Sequence, residues 1–221
     1  MTHPLRAELQ QGLQTLDLTL PDGGEDQLLA YLDLIARWNR VYNLTAVREP
    51  ADMLRQHLLD CLAVVRPLAA VADARPAGSR PWRVLDVGSG AGLPGIVLAI
   101  VRPDWQITCV DTVAKKATFI RQVGAELGLS HLQAVHQRVE DMREPPYDLI
   151  TSRAFASLAD FVALTRARLA PAGVWAAMKA HLTEAERAEL PAAVQITRVE
   201  TLAVPGLEAQ RCLVWMQRRP A

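Results

Sequence analysis

Lysine is nearly absent from this chain: Lys115, Lys116 and Lys179 stand against 21 arginines. Alanine and proline are abundant alongside, so the skew reads as coding bias before it reads as a preference for guanidinium. Net charge is absent too, because 24 basic residues balance 24 acidic ones. That balance excludes a histone-like or tail-driven polyanion binder, though it leaves room for a local basic rim. Cysteine is scarce and odd in number, at Cys61, Cys109 and Cys212, with no Cys-x-x-Cys pair and no metal-ligand spacing. Neither a disulfide framework nor a metal site is expected. The longest uncharged stretch runs from Val87 to Val101 and holds four glycines and a proline, too short to span a bilayer. No basic-then-apolar leader opens the chain. A cytoplasmic protein without membrane contact is expected.

What is present is enough apolar residue for a core: half of 221 residues are hydrophobic and 22% are charged, which argues against general disorder. Leu28, Tyr31, Leu32, Ile35 and Trp38 recur at helical spacing, and Leu54, Leu58, Cys61, Leu62 and Val65 do so again. Between these helices Tyr42-Asn43-Leu44-Thr45 reads as a turn. Residues 72–82 form a Pro/Gly/Ala/Arg linker. Beyond it, β-rich runs at 83–87, 105–110, 132–136, 147–151 and 174–178 alternate with helical stretches at 94–101, 114–127 and 157–169. Such alternation predicts a parallel sheet covered on both faces. Two further β-like runs, 194–204 and 211–217, flank Pro205-Gly206 and predict an antiparallel ending. The expected organisation is an N-terminal helical cap, 1–72, and an α/β domain, 83–221, packed as one unit.

The strongest local signal is Asp86-Val87-Gly88-Ser89-Gly90-Ala91-Gly92-Leu93-Pro94-Gly95. A strand enters a glycine loop and a helix opens near Pro94, where proline suits a first turn. Glycines let backbone approach a ligand at the C-terminal edge of the sheet. Gly90-x-Gly92-x-x-Gly95 matches the dinucleotide pattern by letter. That register leaves Gly88 and Ser89 as strand end, and the register on Gly88 and Gly90 puts Leu93 where a third glycine belongs. Asp86 would also repel a pyrophosphate, whereas it suits the cationic sulfonium and ammonium of S-adenosyl-L-methionine. The methyl donor is therefore the expected ligand. Asp111 closes the second strand and either accepts the ribose hydroxyls or caps the following helix. Val139-Glu140, after the third strand, either covers an adenine or is solvated.

Glu144-Pro145-Pro146-Tyr147 has the letters of an amino-methylating tetrad, but it precedes the fourth strand and reads as an entering turn. After the fourth and fifth strands come Arg153 and Lys179. Two cations beside a sulfonium require an anion, either a nucleic-acid phosphate or base carbonyl, or a carboxylate of the chain itself. No cysteine follows either strand, so covalent attack on a pyrimidine is not supported.

With these residues together the sequence resembles the bacterial small-subunit rRNA guanine-N7 methyltransferases, the glucose-inhibited division protein B family. The likeness covers about residues 25–217. It rests on Trp38-Asn39 with Tyr42-Asn43-Leu44-Thr45, on Arg55-Gln56-His57-Leu58-Leu59-Asp60, on the glycine loop, on Arg102-Pro103, on Phe119 to Val123, on Ser152-Arg153-Ala154-Phe155-Ala156 and on Met178-Lys179. It implies a Rossmann-like class I methyltransferase fold: a mostly parallel seven-stranded sheet with an antiparallel C-terminal strand and an N-terminal helical extension. It implies a single guanine target in 16S rRNA, near position 527 in rRNA numbering, within the small ribosomal subunit. It assigns Gly88, Leu93, Asp111, Val139, Glu140 and Arg153 to the cofactor. Ala180 stands where the family usually has glycine, and Cys61 where serine is common.

Guanine N7 has an in-plane lone pair and no proton, so direct in-line attack needs no general base. Positioning and exclusion of water should dominate. A bidentate arginine on O6 and N7 would block the nucleophile, so Arg153 or Lys179 is expected to donate to O6 or to phosphate. His57 and Asp60 share a helical face and read as a structural pair or a proton carrier. Asn43 contacts RNA or caps its turn. Lys115, Lys116 and Arg121 form either a solvated helix face or part of an RNA footprint. A small-molecule methyltransferase, an NAD(P)-dependent reductase and a non-catalytic ribosome-assembly binder are the competing readings. A monomer is the expected state.

Overall fold

A computed structural model describes every residue except Met1, Ala77, Ala156 and Ala221. Arg83–Val87 (β1), Gln106–Asp111 (β2), Leu132–His136 (β3), Tyr147–Arg153 (β4), Leu169–Lys179 (β5), Val194–Leu202 (β6) and Arg211–Arg218 (β7) form one sheet. Its order is β3-β2-β1-β4-β5-β7-β6. The first five strands are parallel, and β7 runs antiparallel to both β5 and β6. Strand order therefore reverses at β1, with β2 on one side and β4 on the other. In open α/β sheets such a reversal leaves a crevice beyond the strands' carboxyl ends.

Helices Arg6–Thr15 (α1), Gly24–Tyr42 (α2), Pro50–Met53 (α3), Asp60–Leu62 (α4) and Val65–Asp73 (α5) precede the sheet. A π-helical turn, Leu54–Leu59, joins α3 to α4. Gly95–Val101 (α6), Ala114–Glu126 (α7), Leu158–Thr165 (α8) and Glu184–Ala188 (α9) follow. The apolar stripe of α2 packs with α6 and α7 into one core cluster, which includes Val84, Ile107 and Leu149 from one face of the sheet. Leu85, Val87, Ile150 and Trp175 face the other way, toward α8. Near-continuous hydrophobic strands are what a sheet buried on both faces requires. The predicted cap thus shares its core with the sheet.

β1 and β3 fall where the β-rich runs placed them. β5 starts earlier than the predicted 174–178, because Leu169 pairs with Tyr147 across a register shift. Pro171 and Gly173 hid that pairing, since neither favours a strand. α8 ends at Thr165 rather than continuing to 169, and Ser157 caps its start by accepting from the Asp160 amide at 3.2 Å. Glu144 to Pro146 lie at the amino end of β4, where the Pro145 and Pro146 carbonyls accept from Arg83. They are far from the crevice, as the turn reading expects. Among the described residues no helix is long and apolar enough to cross a membrane, and no group of three or more His, Cys, Asp or Glu could hold a metal.

Candidate active site

Two cavities open at the carboxyl edge of the sheet and share Gly88. The larger, about 610 Å³, is lined by the loop from Gly88 to Ala91, Leu93, Leu44, Thr45, Asp60, Arg153, Lys179, Glu186 and Arg211, among others. The smaller, about 250 Å³, lies between Val87, Val110, Asp111, Val139, Glu140, Phe155 and Leu164. Gly88 has φ 65°, and a Cβ built on it would meet no atom within 4 Å. Gly88 thus borders both cavities and leaves open space where a side chain would stand.

Asp111 lies at the smaller cavity, and α7 starts from Val113 without a side-chain cap, so Asp111 is not that helix's N-cap. Its Oδ1 accepts from the Val113 amide at 2.8 Å, ahead of α7, and its Oδ2 from the Gly90 amide at 2.9 Å. The carboxylate thus fastens the glycine loop to β2 while lining the smaller cavity. Lys116, one of the three cations read as a solvated helix face or an RNA footprint, stands 3.7 Å from it. Val139 is buried in a short 3₁₀ turn, and Glu140 accepts from Arg138 at 2.9 Å at the rim.

Asp86 corrects the charge argument made for it. Strand alternation sends its side chain to the α6 face, where it is fully buried and lines neither cavity. Its Oδ2 accepts from the Gly95 amide at 2.9 Å. A Cβ at Gly95 would collide with Cys109 Sγ and with that carboxylate. Asp86 therefore seats the first turn of α6 against β1 and does not face a sulfonium. Burial pushes its acid up to about 7, against the Gly95 amide and the more distant Arg153.

The two predicted cations reach the larger cavity already paired with carboxylates. Arg153 Nη1 donates to the Gln56 carbonyl at 2.8 Å and to Asp60 Oδ2 at 3.3 Å. Asp60 Oδ1 accepts from Arg211 at 3.0 Å. Lys179 Nζ lies 2.5 Å from Glu186 Oε1. Glu186 neutralises Lys179 without an outside anion, whereas Asp60 is shared by two guanidinium groups and offsets only one of their charges. Asp60, Glu186 and Arg211 were missed as site residues. Thr183-x-x-Glu186 carries the letters of a capping box, and the structure forms one. Arg211 is found only through topology, since its neighbour Cys212 pairs with Lys179.

His57 and Asp60 are not partners, a second correction. The π-turn changes the angular step per residue, so the three-residue spacing no longer stacks the pair. His57 Nε2 bonds Thr45 Oγ1 at 2.9 Å, and its Nδ1 has no partner. Burial, helped by Arg153, pulls its pKa down to about 4, so the ring is neutral at pH 7. Asn43 is exposed, has φ 49° and ends α2, with Oδ1 accepting from Arg48 at 3.1 Å. Neither His57 nor Asn43 lines the larger cavity; both brace the turn whose Leu44 and Thr45 do. Buried Asn39, also missed, staples that turn through the Thr45 amide and the Val47 carbonyl. Tyr31, predicted as core, also donates its hydroxyl to the Ala91 carbonyl at 2.7 Å. The helical cap thereby holds the glycine loop.

This geometry has close relatives. Residues 24–214 match the family described as rRNA small subunit methyltransferase G (GidB). The chain belongs to that family. Proteins named ribosomal RNA small subunit methyltransferase G are 60% identical in Leptothrix cholodnii, over 98% of this chain and 97% of that one, and 59% identical in Methylibium petroleiphilum, over 96% and 93%. More distant solved structures share the fold. A mutant of MtNAS in complex with S-adenosylmethionine has TM-score 0.57 at 15% identity, covering 96% of this chain and 84% of that one. TrmN from Thermus thermophilus has TM-score 0.55 at 20% identity, covering 75% and 53%. This family member is accordingly a class I S-adenosylmethionine-dependent rRNA methyltransferase, and the reductase reading falls. The donor fits the residues present: a small, mostly apolar cavity beside Asp111 and Glu140, and a wider one next to it across Gly88.

Proposed function

We propose that the protein transfers a methyl group from S-adenosylmethionine to N7 of one guanine in 16S rRNA, in line and without a general base. The observation that supports this most is that both carboxylates lining the larger cavity are held by cations, Asp60 by Arg153 and Arg211, and Glu186 by Lys179. Their oxygens already accept from guanidinium or ammonium N–H groups. His57 does not line this cavity; His181 does, but no side chain among the described residues hydrogen-bonds its ring to aim it as a base. An acceptor that must lose a proton is poorly served here, whereas a ring nitrogen with a free lone pair needs no such help.

The donor supplies an electrophilic methyl group on sulfur. Val139 and Glu140 would flank its adenine, Asp111 would accept from its ribose, and Gly88, Gly90 and Leu93 would border its methyl-bearing end at the chamber. Lys179 then donates to guanine O6, leaving N7 free, and Arg153 braces the chamber wall against the cap. One chain supplies every one of these groups, so a monomer working on cytoplasmic small subunits suffices. The Lys179→Ala variant tests the assignment. Its turnover on small subunits should fall roughly a hundredfold, the usual size of a lost oriented donor, with donor affinity by calorimetry unchanged. Near-normal turnover would remove Lys179 from the mechanism.

A further inference from the structure

The chamber holds one group to which the transfer step above gives no contact with the base, Glu186, the partner of Lys179. Lys179 Nζ and Glu186 Oε1 present a donor and an acceptor side by side, 2.5 Å apart, on the wall shared with the glycine loop. Both side chains are mostly buried, at 15% and 18% exposure. Glu186 is also fixed from behind: its Oε2 accepts from the Thr183 amide at 3.3 Å and the Thr183 hydroxyl at 3.2 Å. Burial draws the acid's pKa upward, but Lys179 and Thr183 outweigh it and hold it below the ordinary range, so the group is an anion.

Guanine carries O6, N1–H and N2–H₂ in sequence along one edge, with N7 on the far side of O6. That edge reads acceptor, donor, donor. We infer that Glu186 selects guanine, its carboxylate accepting from N1–H and N2–H₂ while Lys179 donates to O6. This rests on the N7-guanine reading above and deepens it. Adenine also has an N7, but it would set a lone pair at N1 against the carboxylate and an amino group against the ammonium. A site built for a hydrogen-bonded edge rejects the wrong one strongly, because its own polar groups are left unpaired. The same contacts turn N7 away from Glu186.

Small subunits assembled from rRNA with inosine in place of the target guanosine provide the test, since inosine lacks only the N2 amino group. The wild-type enzyme should lose roughly ten- to hundredfold in kcat/KM on inosine. Glu186→Gln keeps a side chain suited to the capping box, and its melting temperature reports its fold. It should lose roughly a hundredfold on guanosine, yet separate guanosine from inosine by less than about threefold. Glu186→Ala should show the same collapsed ratio. A Glu186→Gln enzyme that keeps the wild-type ratio, whatever its rate, would show that Glu186 only holds Lys179 and would overturn the inference. A wild-type product other than 7-methylguanosine would instead sink the N7 reading itself, and Glu186's role with it.

Discussion

Asp60→Ala should lose about 2 kcal/mol of folding stability and roughly a hundredfold in turnover at once. Asp60 is 2% exposed and sits between Arg153 from β4 and Arg211 from β7. It is the link between the helical cap and the two strand ends that wall the chamber. Removing it leaves two guanidinium groups facing each other with no anion between them. Breaking a fully buried pair costs about 3–5 kcal/mol. Both arginine side chains here are 24% exposed, so water recovers part of that and the lower figure applies. Asp60→Asn, which keeps an acceptor without the charge, should fall between wild type and Asp60→Ala. Urea unfolding and methyl transfer to small subunits measure the two effects. A loss of stability under about 0.5 kcal/mol would show that the arginines are solvated and the link is ornamental.

Gly88→Val should weaken S-adenosylmethionine binding by more than about a hundredfold while the protein still folds. The backbone there has φ 65°, so any side chain is strained, by about 1–2 kcal/mol. Strain alone would not single out binding. The position matters because Gly88 borders both cavities, and a branched side chain would fill the open space beside both. Gly128 provides the control: it too has positive φ, 69°, and open space around its would-be Cβ, but it lines neither site cavity. Gly128→Val should show similar strain and unchanged donor affinity by titration calorimetry. Equal losses of affinity in both variants would put the effect down to strain.

The fold was legible because β-rich runs and helical runs alternate with little ambiguity from Arg83 onward, and because a glycine loop after a strand marks the reversal point of the sheet. Asp111 was legible for the same reason, since strand ends at that edge face the crevice. Asp86 misled because proximity in sequence to the loop suggested proximity to the ligand, whereas strand alternation turns it beneath the loop. His57 misled because spacing arguments assume an α-helix and the local chain is π-helical. Lys179 and Arg153 were located, but not their partners. Asp60 and Arg211 are 151 residues apart, and such a contact is a property of strand order rather than of any window of sequence. Glu186 was within reach, seven residues after Lys179 behind a capping box, but a short polar helix shows no periodicity to draw attention.

N7 is the acceptor atom on which the proposed transfer depends. Small subunits can be assembled from rRNA in which the target guanosine is 7-deazaguanosine, which keeps O6, N1–H and N2–H₂ but has carbon in place of N7. Labelled methyl transfer should drop to background on this substrate, while the subunit still competes with the natural one for the enzyme. Transfer to the deaza substrate at the natural rate would contradict the account.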